Sequence, residues 1–403
     1  MKPLHATPEA SAGNAAIPED FSLILGGPLY QLFLKTRLAR PPLQLLHRRM
    51  LVIPALAWLP LLALTVFEGH ALGGVRVPFL LDVETYARFL VAMPFLILAE
   101  PVVHSWTRET VWQFRERGIV PAEAMPRFQA AVDSAMRLRN STTAELVLLI
   151  AVFALTPWLW QHGMALQTDT WYATADEGRI DLTRAGWWFV HVSAPMFQFL
   201  LLRWWFRLAI WWRFLWQVSR LSLELKAAHP DRSGGLGFMG DGVYGFMPVL
   251  FAQGVVVSGL IASRVLTGAR AAVEFRGEIA LLIVLLVAQV LIPMLFFVPD
   301  LIAARREGLR RYGALAATHV RDFERKWLGA NTPTDEALLG SVDISSMADM
   351  AGSSDVVREM RPVPFDLRVL LQLVAISAAP FLPLVLTVIP LAELLQRVVG
   401  MVL

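Results

Sequence analysis

The 403-residue chain contains no cysteine, which excludes disulfides, thiol catalysis and cysteine-held zinc or iron–sulfur centres. Charge is also scarce. Asp, Glu, Lys and Arg make up only 17% of the residues, where a soluble domain carries about 25%. The first twenty residues, "MKPLHATPEASAGNAAIPED", lack an apolar run, so they do not read as a signal peptide. Enzyme signatures are missing as well. "GGLGFMGDG" has no Lys where a phosphate-binding loop needs one, and no strand leads into it as a dinucleotide fingerprint requires. The eight histidines are scattered, with no pair at zinc-ligand spacing. No Ser, His and acid stand together locally. No arginine recurs at every third position of an apolar run, as a voltage sensor needs. No catalytic residue, metal, cofactor or nucleic-acid partner is expected.

What is present is apolar. Hydrophobic residues make up 56% of the chain and the mean hydropathy is +0.53, which points to an all-α integral membrane protein. Trp outnumbers Tyr by 14 to 5, and Trp favours the membrane–water interface. A bilayer core needs about 20 mostly apolar residues per helix. Seven stretches qualify, within a range of six to eight: Leu51–Phe67, Phe89–His104, Glu145–Gln161, Gly186–Leu202, Val243–Ser263, Ile279–Pro299 and Val369–Leu391. The second is interrupted by Glu100 and two prolines, and the last carries Pro380, Pro383 and Pro390.

Lys and Arg alternate along the connections, and cytoplasmic loops are the ones that collect them. Residues before the first span carry Lys35, Arg37, Arg40, Arg48 and Arg49; the next connection carries only Arg76; the one after carries six arginines from Arg108 to Arg139. The pattern expects a cytoplasmic N-terminus and a place in the bacterial inner membrane. Residues 1–20 read as a disordered tail and 21–50 as an interfacial amphipathic segment. Residues 51–104 hold the first two spans, and 105–143 read as a cytoplasmic helical hairpin. Residues 144–299 hold spans three to six with a cytoplasmic loop at 226–242. Residues 300–368 form a basic helix and short helices, and 369–403 a Pro-broken transmembrane or re-entrant segment. The two options for that last segment put the C-terminus on opposite sides.

Charges at membrane depth are costly, so each one is a functional candidate. Glu100 precedes Pro101, with His104 one turn on; Arg203 and Arg207 are i,i+4 partners flanked by Trp pairs; Asp300 follows Pro299. All fall at the cytoplasmic ends of their spans, as pore or gate residues would. The plainer readings are arginines that snorkel to headgroups and a Glu100 ion pair that only fixes packing.

The loop "HPDRSGGLGF" at 229–238 has its own two readings. Pro230 ends a helix, Asp231 can cap a turn, and Gly234, Gly235 and Gly237 permit unusual backbone angles. Successive N–H groups there can form an anion nest, beside His229 and Arg232. Otherwise the loop is a corner that turns the chain back into the next span.

"LKAAHPDRSGGLGF" together with "SVDISSMADM" and "SSDVVREMRPVPFD" resembles a family of bacterial polytopic inner-membrane proteins that share an HPDxxGGLGF loop and a DIxSxAD…VVREMRxVPF segment. The resemblance brings no activity with it. It implies that 229–238 and 341–366 work together, with Asp343, Asp349, Arg358 and Arg361 as collar residues. The leading expectation is a homo-oligomeric channel or transporter for a small ion or solute, in contact with the lipid bilayer and gated at this collar. The alternatives are a non-transporting sensor or assembly factor, which recruits a protein or lipid through its basic surface, and an intramembrane enzyme acting on a lipid.

Overall fold

A computed structural model describes residues 21–41, 43–159, 170–176, 179–268, 271–329 and 341–386. The expected N-terminal tail, and the part of the last span beyond residue 386, lie outside them. The described chain is a bundle of helices. Six are long and apolar enough to cross a membrane: α2 (Leu46–Phe67), α3 (Val83–Glu116), α6 (Arg184–Val218), α7 (Phe238–Leu266), α8 (Ala272–Trp327) and α10 (Leu367–Leu384). The third expected span, Glu145–Gln161, falls on α5 (Thr142–Leu159), apolar but shorter by the same measure. Shorter helices complete the set: α1 (Pro28–Lys35), α4 (Met125–Arg139) and α9 (Val342–Arg358). A two-stranded antiparallel hairpin, β1 (Ala173–Asp176) and β2 (Arg179–Leu182), pairs Ala173 with Leu182.

Several spans run past their expected limits. α2 begins at Leu46 rather than Leu51, so Arg49 falls inside it. α3 is continuous over 34 residues and supplies the first arm of the expected 105–143 hairpin. A turn at Arg117–Pro121 and α4 complete that hairpin. The start of the 21–50 segment packs into the bundle. Phe21, Leu23 and Ile24 are all buried, and Phe21 packs on Phe214 with ring centroids 5.3 Å apart.

Proline shapes the spans. It lacks an N–H and clashes with the carbonyl four residues back, so the helix changes pitch there. Pro94 and Pro195 follow π-helical turns at Tyr86–Ala92 and Phe189–Ser193. Pro248 follows a 3-10 turn at Val243–Phe246, and Pro293 lies within another at Ile292–Phe297. A released carbonyl must find another donor in an apolar medium. For Pro293 that carbonyl is Gln289 O, which accepts from Trp212 Nε1 at 2.8 Å.

The two ends of the bundle differ. At one end, here the basic end, Phe114 stands edge-on to Phe238 at 5.1 Å and also meets Phe128 and Phe297. This aromatic layer joins α3, α4, α7 and α8. At the opposite end Glu68 accepts the N–H groups of Arg184 and Ala185, capping α6. Gly186 is obligatory there, because a Cβ would lie 1.9 Å from the Tyr172 carbonyl oxygen. α7 is the most enclosed of the six long spans. α2, α5 and α8 turn rows of Leu, Val and Ile outward, as lipid-facing helices do.

Candidate functional site

Five ionisable side chains converge inside the basic half of the bundle. Glu100 comes from α3, Arg203 and Arg207 from α6, Arg49 from the first turn of α2, and Glu145 from the first turn of α5. Each is less than a tenth exposed, and Arg49 is 0% exposed. Glu100 Oε2 accepts from Arg49 Nη1. Glu100 Oε1 accepts from Arg207 Nη2 at 3.1 Å and lies 3.7 Å from Arg203 Nη1. Arg203 Nη2 reaches Glu145 Oε1 at 3.3 Å. Arginine stays protonated in proteins, so burying these three guanidiniums requires carboxylates beside them.

Local sequence explains each placement. Arg203 and Arg207 are four residues apart, which puts them on one helix face. They point inward and do not snorkel to the surface. The Arg207 guanidinium also lies over the Trp204 ring, 4.8 Å from its centroid. Glu145 Oε2 accepts the Leu29 N–H at 2.9 Å, capping the start of α1, whose first N–H groups have no partner within the helix. Gly27 permits this approach. Its φ is +83°, and a Cβ there would sit 2.8 Å from Glu145 Oε1. Sixteen residues of α3 continue beyond Glu100, about 24 Å of helix, so the network lies where the apolar part of α2 begins.

Glu100, Arg203 and Arg207 are thus brought together as the sequence suggested. Arg49 and Glu145 join them through the ion pairs given above. The charged neighbour of Asp300 is Arg220. Arg49 and Glu145 had not stood out in the sequence. Arg49 follows the exposed Arg48 in a basic run that reads as flanking charge. Glu145 is the lone acid at the head of an apolar run, and that isolation was the one available signal.

The loop at 229–238 answers its own question largely from within. Asp231 Oδ1 accepts from the N–H groups of Ser233 and Gly235, at 2.8 and 3.1 Å, and Oδ2 from Gly237 at 2.8 Å. His229 Nδ1 lies 2.9 Å from Asp231 Oδ1. The nest exists, but the loop's own carboxylate fills it. Burial raises the Asp231 pKa, yet the three backbone donors outweigh burial and hold the carboxyl below its usual range. Arg232, Gly234 and Gly235 all have positive φ, which the glycines adopt without strain.

The second motif docks on this loop. Arg361 donates its backbone N–H to Arg232 O at 2.7 Å and its Nη2 to Asp231 O at 2.9 Å. Arg232 pairs with Glu359 at 3.0 Å. A Cβ on Gly240 would meet the Pro364 carbonyl at 2.9 Å, so the start of α7 lies against this segment. Asp366 then caps α10 through the Val369 N–H. Asp343 accepts from Lys326 and from Trp327 Nε1, fastening α9 to α8. The Arg358 carbonyl accepts from Arg305, and Asp349 is exposed. The described contacts are those of a structural corner, in which the Asp231 carboxylate is engaged by its own loop.

At the opposite end Asp82 accepts from Trp171 Nε1 at 2.8 Å and from the Glu84 N–H at 3.0 Å. Burial, with Glu84 nearby, pushes its carboxyl up to about 6. A lateral cleft of about 500 Å³ lies between the early part of α3, α7 and α10. Its polar side chains are Tyr86 and Ser258, whose hydroxyls donate to the carbonyls of Leu80 and Pro380. Among the described residues no group of three or more His, Asp or Glu is arranged to hold a metal ion. Compared with known proteins, the chain matches no family model, no curated protein and no solved structure.

Proposed function

We propose that this membrane protein is a non-enzymatic channel or transporter for a small ion or solute. In this reading it sits in the bacterial inner membrane with its basic end in the cytoplasm, and acts as a homo-oligomer. The observation that carries the reading is the buried network of Arg49, Glu100, Glu145, Arg203 and Arg207. Four helices contribute ionisable groups at one level, where each group alone would be expensive. Glu100 is the centre, because three arginines depend on its two oxygens. It acts as the latch, and the corner of 229–238 and 341–366 is the collar that holds α7 and α10 beside it.

The test is flux through liposomes that contain the purified full chain. Glu100→Gln keeps the shape and removes the charge, so it is expected to change the rate at least several-fold and to alter its pH profile. Parent-like flux at every pH would end the role given to Glu100.

A second reading is favoured by the self-satisfied collar and by the arginines exposed along the outer part of α8, among them Arg310 and Arg311. On that reading the basic end recruits a protein or an anionic lipid and nothing is transported. Cross-linking to 302–329 without flux would support it. The lipid-enzyme alternative draws little support from a lateral cleft whose hydroxyls are already committed to backbone carbonyls.

A further inference from the structure

We infer that Arg49 holds a small monovalent inorganic anion, of halide size, inside the ion network; this deepens the transport reading by naming the class of solute at the latch. The first ground is charge. Among the described residues, Arg49, Arg203 and Arg207 bring three positive charges and Glu100 and Glu145 two negative ones, which leaves an excess of 3 − 2 = 1 buried positive charge. The Tyr30 phenol, which also feels Arg49 and Glu100, is held above its usual range by burial and so is neutral at ordinary pH. An uncompensated charge in an apolar interior is strongly disfavoured.

The second ground is donor geometry. Arg49 meets Glu100 only through Nη1. Its Nε and Nη2 are buried and have no hydrogen-bond partner among the described residues. Those two nitrogens form the side edge of the guanidinium, from which two N–H bonds point the same way. That edge is the one that grips an anion in a fork. Buried donors are rarely left unmatched, so each such case calls for a specific explanation. A water molecule would satisfy the donors but leave the excess charge; a monovalent anion satisfies both. Full enclosure of Arg49 limits the anion to a small one.

Bromide is the probe. The purified full chain is melted in gluconate buffer with rising bromide at constant ionic strength, and crystals grown in bromide are measured at its absorption edge. A saturable rise in melting temperature, with an anomalous peak within hydrogen-bonding reach of Arg49 Nε and Nη2, is the expected result. Arg49→Lys removes the fork and should abolish the saturable rise. Glu100→Gln raises the excess from one charge to two and should tighten bromide on the order of ten-fold, about 1.4 kcal/mol, while a purely structural network would show no tightening. Ordered water alone at that edge, or an unchanged bromide response in Arg49→Lys, overturns the inference. If Arg49→Lys does not fold, the anomalous map of the parent and the Glu100→Gln titration still decide it. Bromide bound at Arg49 without halide flux in liposomes would uphold the anion site and sink the transport reading. Flux of another solute with no bromide at Arg49 would do the reverse.

Discussion

Glu100 and Asp82 are buried almost equally, at 5% and 7% exposed, yet they live in opposite company. Glu100 faces three guanidiniums. Asp82 faces an indole N–H, one backbone N–H and the like charge of Glu84. The nearby Arg88 is paired with Glu84. Burial alone disfavours a carboxylate, and the neighbours decide whether it stays charged. Asp231 is an intermediate case, since backbone N–H groups do for it what arginines do for Glu100. The three acids therefore answer differently to substitution and to pH.

The largest effect is expected at Glu100. Glu100→Ala leaves three buried guanidiniums with only Glu145 beside them, and breaking a buried pair in this way costs about 3–5 kcal/mol. Thermal melting of the purified protein reads it. A loss below about 1 kcal/mol would mean that the network behaves like an exposed ion pair, and the contrast with Asp82 would collapse.

Asp82 comes next, as a pH effect. Its folded pKa of about 6 lies about two units above that of an unfolded aspartate, near 3.9. Between those values the folded chain holds a proton that the unfolded chain has released. The stability attributable to this group is thus greatest at the acidic end and falls as pH rises through the window, by about 3 kcal/mol in all. Asp82→Asn should flatten the melting profile between pH 4 and 6. An unchanged slope would remove Asp82 from the comparison.

The smallest of the three is Asp231→Ala. It strips the acceptor from the Ser233, Gly235 and Gly237 N–H groups, but the side chain is 17% exposed and water can replace part of the loss. About 2 kcal/mol is expected. The sign of its pH dependence is opposite to that of Asp82. A depressed pKa contributes stability above the unfolded value, and that contribution is lost as pH falls through the folded one. Hydrogen exchange of the three amides would report it locally, and protection unchanged by the substitution would show that the loop does not depend on Asp231.

Much of the architecture is legible in the sequence, because membrane spans write themselves as long apolar runs. The element boundaries were less so. α3 and α8 continue beyond the apolar zone on amphipathic residues, where hydropathy stops marking the helix. Glu100, Arg203 and Arg207 were legible as charges in the wrong medium. Arg49 was not, since Arg48 beside it is as basic and only helical phase turns one outward and the other inward. The loop at 229–238 was legible as a turn. Its glycines announced the nest, but nothing in their order announced that Asp231 would fill it.

The sequence by itself determined that the chain is a helical membrane protein, which helices are apolar, and that Glu100, Arg203 and Arg207 needed partners. Those properties follow from the transfer cost of each side chain, which is local and additive along the chain. Only the tertiary structure decided which arginines share Glu100, that Asp231 is satisfied by its own loop, and that Arg361 locks two distant motifs together. Pairing depends on distance between side chains brought together from residues as far apart as 49 and 207, and no local pattern encodes it.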